Sequence, residues 1–180
     1  LITTSNSEVI KPKNSFKANQ IKLAALQRQL SRKVLFSQNW KKQNSKIQKL
    51  HHHIANIRHD YLHKITTTIS KNHAMIACED LKVANMSKSA SGSVEKKGKN
   101  VKAKSGLNKS ILDQGWGMMV NMLEYKQQWQ GGLLIKVNPR YTSQTCFECK
   151  HIAKENRQTQ SEFECVKCTY VANADVNAAR

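Results

Sequence analysis

The sequence predicts an α/β protein with a small C-terminal module held together by a metal ion. Three observations predict it: apolar residues recur at helical spacing through the first 70 residues, short apolar runs follow later, and four cysteines form two CxxC pairs. With 180 residues, the chain can hold one domain with a sizeable core, or one domain and a small metal-held module.

The N-terminal part begins with a short hairpin and continues as two basic helices. Residues 1–11 predict two strands around a Ser-Asn-Ser turn. Apolar residues at steps of three and four predict helices over about 17–34 and 40–70, which form an antiparallel hairpin over about 17–70. The first stripe is Leu23, Leu26, Leu30 and Val34, and the second is Ile47, Leu50, Ile54, Ile57, Tyr61, Ile65 and Ile69.

Two short apolar runs predict strands. The run Ala74–Cys78 is typical of a buried strand, and Glu79 follows at its C-terminal edge, where open sheets present their chemistry. A second strand is predicted over Leu133–Val137 and is ended by Pro139. Glu79 is therefore a candidate site residue on position alone, although a single Glu at a strand end is usually a surface residue.

A basic loop and a further helix are predicted between these strands. Residues 87–107 are rich in Ser, Gly and Lys and predict a mobile loop, because they offer few apolar groups to fix it. Residues 107–130 predict a helix with Asp113 near its start, where an acid favours the helix dipole rather than a metal site. Its predicted buried face is Leu112, Trp116, Met119, Val120 and Leu123.

The four C-terminal cysteines predict a zinc site. The two CxxC pairs are separated by fifteen residues, and each can fold as a knuckle that aims two thiolates at one point. Four thiolates fill the tetrahedral shell of Zn²⁺, so this metal is expected to hold the fold rather than activate water. The ligands are Cys146, Cys149, Cys165 and Cys168.

Two disulfides are the alternative for these cysteines. A Lys-rich chain without a signal peptide or a transmembrane run, and with Cys78 left over, argues against that alternative and for the cytoplasm. Lys150 and Thr169 follow the two pairs at positions where such ribbons often have Gly. A positive φ there would strain either residue, so we expect a slightly loosened site that still binds zinc.

The charge predicts a nucleic-acid partner and no membrane. The formal net charge is +18, with 13 Lys/Arg against two acids over 1–70 and eight against one over 82–109. The segment 140–170 is nearly balanced, at five against four, so we expect the nucleic acid to lie along the helical and loop regions. Few aromatic residues are present, so phosphate contacts should dominate affinity, and binding should weaken steeply with salt.

The order of these features resembles the TnpB (OrfB) family of insertion-sequence proteins, relatives of the type V CRISPR nucleases. The basic helical hairpin, "AMIACEDLKV", the Lys-rich loop, "LLIKVNPRYTSQTCFECK", the second CxxC and "NADVNAAR" carry the resemblance. It implies a RuvC-like nuclease domain of RNase H-like fold over 1–139, a zinc ribbon over 140–170 and a final RuvC-like segment over 171–180. The implied activity is DNA cleavage directed by a guide RNA from the mobile element.

The resemblance also implies a Mg²⁺ site. Glu79 and Asp175 match the second and third of the family's three metal-binding carboxylates. Carboxylate oxygens suit Mg²⁺, and two such ions can stabilise the attacking and leaving oxygens of a phosphodiester. An Asp in the setting of Asp175 is otherwise often a helix N-cap. The first carboxylate would lie upstream of Leu1, so we expect a truncated piece with little or no cleavage of its own.

Other interpretations stay open. A non-catalytic zinc-ribbon remnant or regulator of transposition would bind nucleic acid without depending on Glu79. A strand-joining transposase is also compatible with an RNase H-type site. His59 and His63 lie one helical turn apart like a protease motif, but no third ligand is evident, so they are expected to be exposed polar residues, as are the histidines at 51–53.

Overall fold

A computed structural model describes residues 2–180 and divides the chain into two compact units. The helical unit is Lys13–Ile135, and the ribbon unit combines Leu1–Pro12 with Lys136–Arg180. This division into compact units differs from the predicted domains 1–139, 140–170 and 171–180. Those domains were defined by the functional parts of the family, and they stay a prediction. The elements are β1 Ile2–Thr3, β2 Val9–Ile10, α1 Ser15–Ser31, α2 Gln38–Asn72, β3 Met75–Glu79, α3 Val83–Met86, α4 Val101–Gln114, α5 Trp116–Gln130, β4 Leu133–Val137, β5 Glu162–Glu164, β6 Val171–Asn173 and α6 Ala174–Ala179.

The predicted helical hairpin is confirmed as α1 and α2. The Ser37 hydroxyl caps α2 by accepting a hydrogen bond from the Trp40 N–H, 3.2 Å away. Four buried aliphatic residues form the seam between the two helices, and Phe16, Leu26 and Leu30 pack against them. These four are Leu23, Ile47, Leu50 and Ile54. Val34 was predicted to continue the stripe, but it lies beyond the end of α1 and is exposed.

The C-terminal half of α2 buries a different face from the one predicted. The expected stripe ran on through Ile65 and Ile69, which are only partly buried, whereas the residues fully buried there are Leu62, Thr66 and Ser70. The reason is a change of partner: α1 packs on the first half of α2, and α5 packs on the helix as well. The Thr66 hydroxyl is accommodated because it donates to the Leu62 carbonyl oxygen at 2.7 Å.

The single helix predicted over 107–130 is in fact two helices, α4 and α5, that meet at Gly115. Gly115 has φ 72°, in the left-handed region that favours glycine. A Cβ atom at Gly115 would lie 2.9 Å from the Cδ1 atom of Leu62. The break therefore lets the chain turn where it closely approaches α2. Leu112, predicted to be buried, is exposed as a result, while Met119 and Leu123 are buried as expected.

The basic segment predicted as a loop over 87–107 is more ordered than expected. Helix α4 begins at Val101, inside that segment. The Lys104 ammonium donates to the Met86 carbonyl oxygen at 2.6 Å, and the Asn108 amide donates to the Ser87 carbonyl oxygen at 2.8 Å. Side-chain bonds to backbone carbonyls thus supply the anchoring that apolar residues do not.

Asp113 has a structural role that the sequence did not indicate. It is buried near the end of α4, not near a helix start, and its carboxylate accepts hydrogen bonds from the N–H groups of Phe16 and Lys17 and from the Ser15 hydroxyl. These groups belong to the first turn of α1, whose N-cap residue makes no side-chain cap. The Arg58 guanidinium lies 3.5 Å away. Asp113 therefore caps α1 from another helix.

Three two-stranded sheets are present within residues 2–180. β1 and β2 form the predicted N-terminal hairpin, although Leu1 lies outside the described residues. β3 pairs with β4, whose bounds match the prediction, and the Leu133 N–H donates to the Ala74 carbonyl oxygen at 2.8 Å. The expectation that β3 is buried was wrong, because none of its residues is fully buried and Met75 is exposed.

The ribbon unit has a small core built around cysteine. β5 and β6 are antiparallel, with Phe163 opposite Ala172. Phe163 is 1% exposed and packs in a cluster with Cys146, Cys165 and Ala174. β6 lies in the segment 171–180, predicted to follow the ribbon, and pairs with β5 inside the segment 140–170. β6 continues directly into α6, which carries Asp175.

Candidate metal centre and catalytic residues

The four predicted cysteine ligands converge on one point in the ribbon unit. Their sulfur atoms all lie within 4.8 Å of one another, with Sγ–Sγ distances of 3.6 Å for Cys146 and Cys168 and 3.5 Å for Cys149 and Cys165. Four sulfurs placed about 2.3 Å from a tetrahedral Zn²⁺ would be about 3.8 Å apart. The donor set and its size therefore fit a structural metal such as zinc, as predicted.

The two knuckles have the same backbone hydrogen bonds. In the first, the Lys150 N–H donates to the Cys146 carbonyl oxygen at 3.0 Å, and the Cys146 N–H donates to the His151 carbonyl oxygen at 2.9 Å. In the second, Thr169 bonds to Cys165, and Cys165 to Tyr170, each at 2.9 Å. The residue after each pair closes the turn, so each knuckle is a repeat of one motif.

The expected strain at the closing residues is confirmed. Lys150 and Thr169 both have φ 58°, in the left-handed region that costs a non-glycine residue about 1–2 kcal/mol. Thr169 is β-branched, which makes this φ more unusual still. The turn keeps its hydrogen bonds in both knuckles, so the strain does not open the metal site.

Two buried asparagines, which the sequence analysis missed, hold the knuckles in place. Asn156 is fully buried and donates to the carbonyl oxygens of Gln144 and His151 while its Oδ1 accepts from the Val166 N–H. It thereby ties the first knuckle to the second.

Asn177 of α6 makes the equivalent bonds at the first knuckle. Its Oδ1 accepts from the Phe147 N–H at 3.0 Å, and its Nδ2 donates to the Thr145 carbonyl oxygen at 2.8 Å. Phe147 and Val166 occupy the same position in the two CxxC pairs, so the two asparagines have matching roles. In the sequence, the available signal was an Asn two residues after Asp175, within "NADVNAAR".

The thiols differ in how readily they ionise without a metal. Burial raises the pKa of Cys165, but N–H donors of Cys168 and Lys167 and contacts with the Cys149 and Cys168 thiols outweigh it and lower the pKa to about 6. The Tyr170 N–H lowers the pKa of Cys168, yet burial and the neighbouring thiols raise it to about 12. Cys165 thus ionises more readily than Cys168, and a bound cation would favour the thiolate form of both.

Asp175 lies in the first turn of α6, where its carboxylate is not used as a cap. Asn173 is the N-cap and accepts hydrogen bonds from the N–H groups of Asp175 and Val176. The Asp175 side chain is 61% exposed and lies 3.6 Å from the Arg157 guanidinium. The alternative that Asp175 is an N-cap is therefore wrong, and its oxygens remain accessible.

Glu79 is the last residue of β3 and is partly buried. Its carbonyl oxygen accepts from the Leu81 N–H at 2.9 Å, which turns the chain away from the strand. The expected placement at a strand end is thus confirmed. Glu79 belongs to the helical unit and Asp175 to the ribbon unit. Their joint role as metal ligands stays a prediction.

A basic hollow of about 200 Å³ lies beside the first knuckle. Arg140, Lys150 and Arg180 line it together with Phe147. The Lys150 ammonium lies 4.6 Å from the Phe147 ring centre, and the Arg180 guanidinium 5.7 Å from it. Three of the eight Lys and Arg residues of the ribbon unit therefore line one hollow beside the first knuckle.

The helical unit carries most of the positive charge, with 22 Lys/Arg against six acids, whereas the ribbon unit has eight against six. Such an excess favours a polyanion. None of the helices described in residues 2–180 combines the length and the apolar character that a bilayer crossing requires.

Two known families match complementary parts of the chain. Residues 1–90 match the family OrfB_IS605, described as "Probable transposase", and these residues include Glu79. Residues 116–180 match the family described as "Cas12f1-like, TNB domain", and these include the four cysteines and Asp175.

Individual relatives agree with these matches. The chain is 65% identical over 180 residues to "Putative RNA-guided DNA endonuclease InsQ" of Escherichia coli (strain K12), covering 100% of this chain and 45% of that protein. It is 32% identical over 181 residues to "Putative RNA-guided DNA endonuclease" of Streptomyces pristinaespiralis, covering 100% of this chain and 41% of that protein. The chain thus spans less than half the length of these relatives.

The fold is similar to that in "Cryo-EM structure of the Cas12f1-sgRNA-target DNA complex". The TM-score is 0.58 at 23% identity, over 94% of this chain and 41% of that one. At this identity the likeness concerns the fold alone.

Proposed function

Because the chain belongs to the OrfB_IS605 (TnpB) family, we propose that it is the catalytic-domain portion of an RNA-guided, divalent-metal-dependent DNA endonuclease. The two relatives described above are named as RNA-guided DNA endonucleases, and this chain aligns with them over its whole length. As proposed, the protein acts in the cytoplasm on DNA, with a guide RNA as its second partner.

The observation that carries the proposal is the placement of Asp175. The ribbon leads through β6 into α6, Asn173 supplies the cap of that helix, and Asn177 ties it to the first knuckle. Asp175 therefore lies on a helix that is tied to the proposed metal site, and its carboxylate is accessible. An Asp with only a structural role would not need an accessible carboxylate. The ribbon, with Zn²⁺ as its proposed metal, positions a catalytic carboxylate.

Glu79 and Asp175 are the proposed Mg²⁺ ligands. Both offer carboxylate oxygens, the ligand type that Mg²⁺ prefers, and Glu79 ends a strand as ligands in open sheets do. When bound, the metal would stabilise the charge that develops on the phosphodiester oxygens. A RuvC-like domain of RNase H-like fold, continued from 1–139 into 171–180, is part of the proposal, as is a ribbon inserted between the two parts.

The charge distribution supports the nucleic-acid partners. The helical unit has the excess of Lys and Arg that a phosphate backbone attracts, and the ribbon unit adds the hollow with Arg140, Lys150 and Arg180. In RNA-guided nucleases, base pairing with the guide selects the sequence while the protein holds the duplex backbone. Most of the Lys and Arg residues would then serve affinity rather than sequence choice.

Cleavage by the assembled ribonucleoprotein tests the proposal. The chain would be compared with a chimera that joins it to the remaining part of InsQ, using DNA matched to the guide in the presence of Mg²⁺. We expect cleavage by the chimera, with losses of about a hundredfold or more in Glu79→Gln and Asp175→Asn, because each removes a charged metal ligand. Glu124→Gln is the matched control and should cleave normally.

A non-catalytic nucleic-acid-binding protein is the second candidate. Within residues 2–180, the group of His, Cys, Asp or Glu side chains that could share a metal ion consists of the four cysteines. Neither Glu79 nor Asp175 belongs to this group, which favours a non-catalytic protein. It predicts that Glu79→Gln changes neither binding nor any activity of the chimera. Normal cleavage by both carboxylate variants would overturn the proposed catalytic roles, and binding without cleavage by the unaltered chimera would establish the second candidate.

A further inference from the structure

Four aromatic rings form a continuous ladder on the helical unit, between α2 and α5. The ring centres of His59 and His63 are 4.7 Å apart, those of His63 and Tyr125 6.4 Å, and those of Tyr125 and Trp129 4.7 Å. Each ring is tilted by 54–58° to the next. We call these four residues the ring ladder. The sequence analysis expected His59 and His63 to be exposed polar residues, which is correct for His59 but wrong for His63, because Tyr125 of α5 partly covers it.

The middle of the ladder is fixed and its ends are open. His63 and Tyr125 are partly buried, and the Tyr125 hydroxyl lies 3.3 Å from the His63 Nε2 atom. Trp129 at one end is 79% exposed, and His59 at the other end is also exposed. The Trp129 ring is exposed for contact but packs against Tyr125, which restricts its motion. Little side-chain entropy would therefore be lost when a ligand binds to it.

The ladder adjoins a hollow of about 350 Å³. His63 lines the hollow together with Lys64, Thr67 and Thr68. Burial lowers the pKa of His63, and the charges of Lys126 and His59 lower it further, against the opposing effect of Asp60. The Lys64 ammonium is exposed and lies 2.8 Å from the Asp60 carboxylate. Exposed ion pairs of this kind contribute little to stability.

A buried positive charge lies behind this hollow. The Lys126 side chain is 7% exposed, and its ammonium donates to three neutral oxygens: the carbonyl of His63 and the hydroxyls of Thr66 and Thr67. Burial lowers the pKa of Lys126, because these oxygens stabilise the charge less than water or a carboxylate would. An anion over Thr67 and Lys64 would be attracted by both ammonium groups.

We propose that the ring ladder and the adjoining hollow bind an unpaired RNA nucleotide, with its base against Trp129 and its phosphate near Lys64. Unpaired RNA bases are commonly held by stacking on aromatic rings, histidine included. The ring face and the cations match the base and the phosphate of a nucleotide. The Thr67 and Thr68 hydroxyls donate to the carbonyl oxygens of His63 and Lys64, so they can serve a ribose hydroxyl only as acceptors. A protein partner with an apolar surface would use Trp129 but would gain nothing from the cations.

The inference deepens the RNA-binding part of the proposed function but requires no cleavage. Binding of a short single-stranded oligoadenylate RNA to the whole zinc-loaded chain would be followed by fluorescence anisotropy. We expect Trp129→Ala to raise Kd by about fivefold to a hundredfold, and Trp129→Phe to retain most of the affinity. Lys64→Gln should make binding less steeply dependent on salt, whereas Trp129→Ala should leave the salt slope unchanged.

Phe36→Ala provides the matched control. Phe36 is 68% exposed and contacts Trp40 at 5.5 Å between ring centres, so it is a comparable exposed ring elsewhere in the helical unit. Its Kd should match that of the unaltered chain. Unchanged affinity of Trp129→Ala, or an equal loss in Phe36→Ala, would overturn the site. Equal binding of the corresponding DNA oligomer, with the same loss in Trp129→Ala, would overturn the assignment to RNA. None of these readouts depends on Glu79 or Asp175.

Discussion

The helical unit and the ribbon unit differ in the residues that form their cores and in their net charge. The helical unit has an aliphatic seam between α1 and α2 and carries 22 Lys/Arg against six acids. The ribbon unit has a core of two cysteines, one phenylalanine and one alanine, and its charges nearly balance. Aliphatic packing is therefore sufficient for the strongly basic helical unit, whereas the ribbon unit buries few apolar side chains and would depend on a metal at its four cysteines.

Removal of the metal should have the largest effect on folding. It should unfold the ribbon unit and leave the helical unit folded. A strong chelator, or Cys146→Ser, is expected to unfold the ribbon unit, because its core contains the ligands themselves. Hydrogen exchange would show this as lost protection at the Cys146 and Cys165 amides, while the α2 amides stay protected.

Cys78→Ser is the control for metal removal. Cys78 lies outside the four-cysteine cluster, so this variant should bind metal with the stoichiometry of the unaltered chain. Protection that persists in the ribbon after complete metal removal would contradict the contrast between the units.

Leu62→Ala should have the next largest effect and should act on the helical unit alone. Leu62 is 1% exposed where α2 meets Gly115, so truncation leaves a cavity and is expected to cost about 3 kcal/mol. Urea denaturation followed by helical circular dichroism measures the loss. Leu112→Ala, at a leucine 54% exposed, should change the free energy of unfolding by less than about 0.5 kcal/mol. A shift in metal affinity in Leu62→Ala would show that the units are not independent.

Asp113→Ala tests whether the hydrogen bonds from the first turn of α1 to Asp113 stabilise the helical unit. The change leaves the Phe16 and Lys17 N–H groups and the Arg58 guanidinium without their acceptor, at an expected cost of about 2 kcal/mol in the free energy of unfolding. Asp60→Ala, which removes only an exposed pair with Lys64, should cost less than about 0.5 kcal/mol by the same denaturation experiment. Equal costs for the two variants would refute the capping role.

Thr169→Gly should have the smallest effect, and it should stabilise the ribbon unit. Gly adopts φ 58° without the strain of a β-branched residue, so metal affinity in competition with a chromophoric chelator should improve by about 1 kcal/mol. Lys150→Gly relieves the same φ but loses the ammonium contact with the Phe147 ring, so its gain should be smaller. Weaker metal binding in Thr169→Gly would contradict the strain argument.

Local pattern was sufficient for the metal centre and for much of the fold. The CxxC spacing indicated the four ligands, and the missing glycines indicated strain at Lys150 and Thr169. The helical hairpin followed from periodicity, and β4 from a short apolar run. Each of these depends on residues that are close in sequence or share one repeating geometry. The asparagines Asn156 and Asn177 could not be found this way, because their partners are defined only once the knuckles face each other.

The family, the four thiol ligands, the excess of cations and the periods of the helices can all be recognised from the order of the residues alone. Which faces of these elements contact one another depends on how they pack in three dimensions. The buried side of α2 includes Leu62 because α5 packs on that helix, Asp113 caps α1, and two pairs of rings that are distant from each other in sequence form the ring ladder. The physical reason is that periodicity fixes which residues share a face of one element, whereas contact between elements depends on packing and on the pairing of buried polar groups.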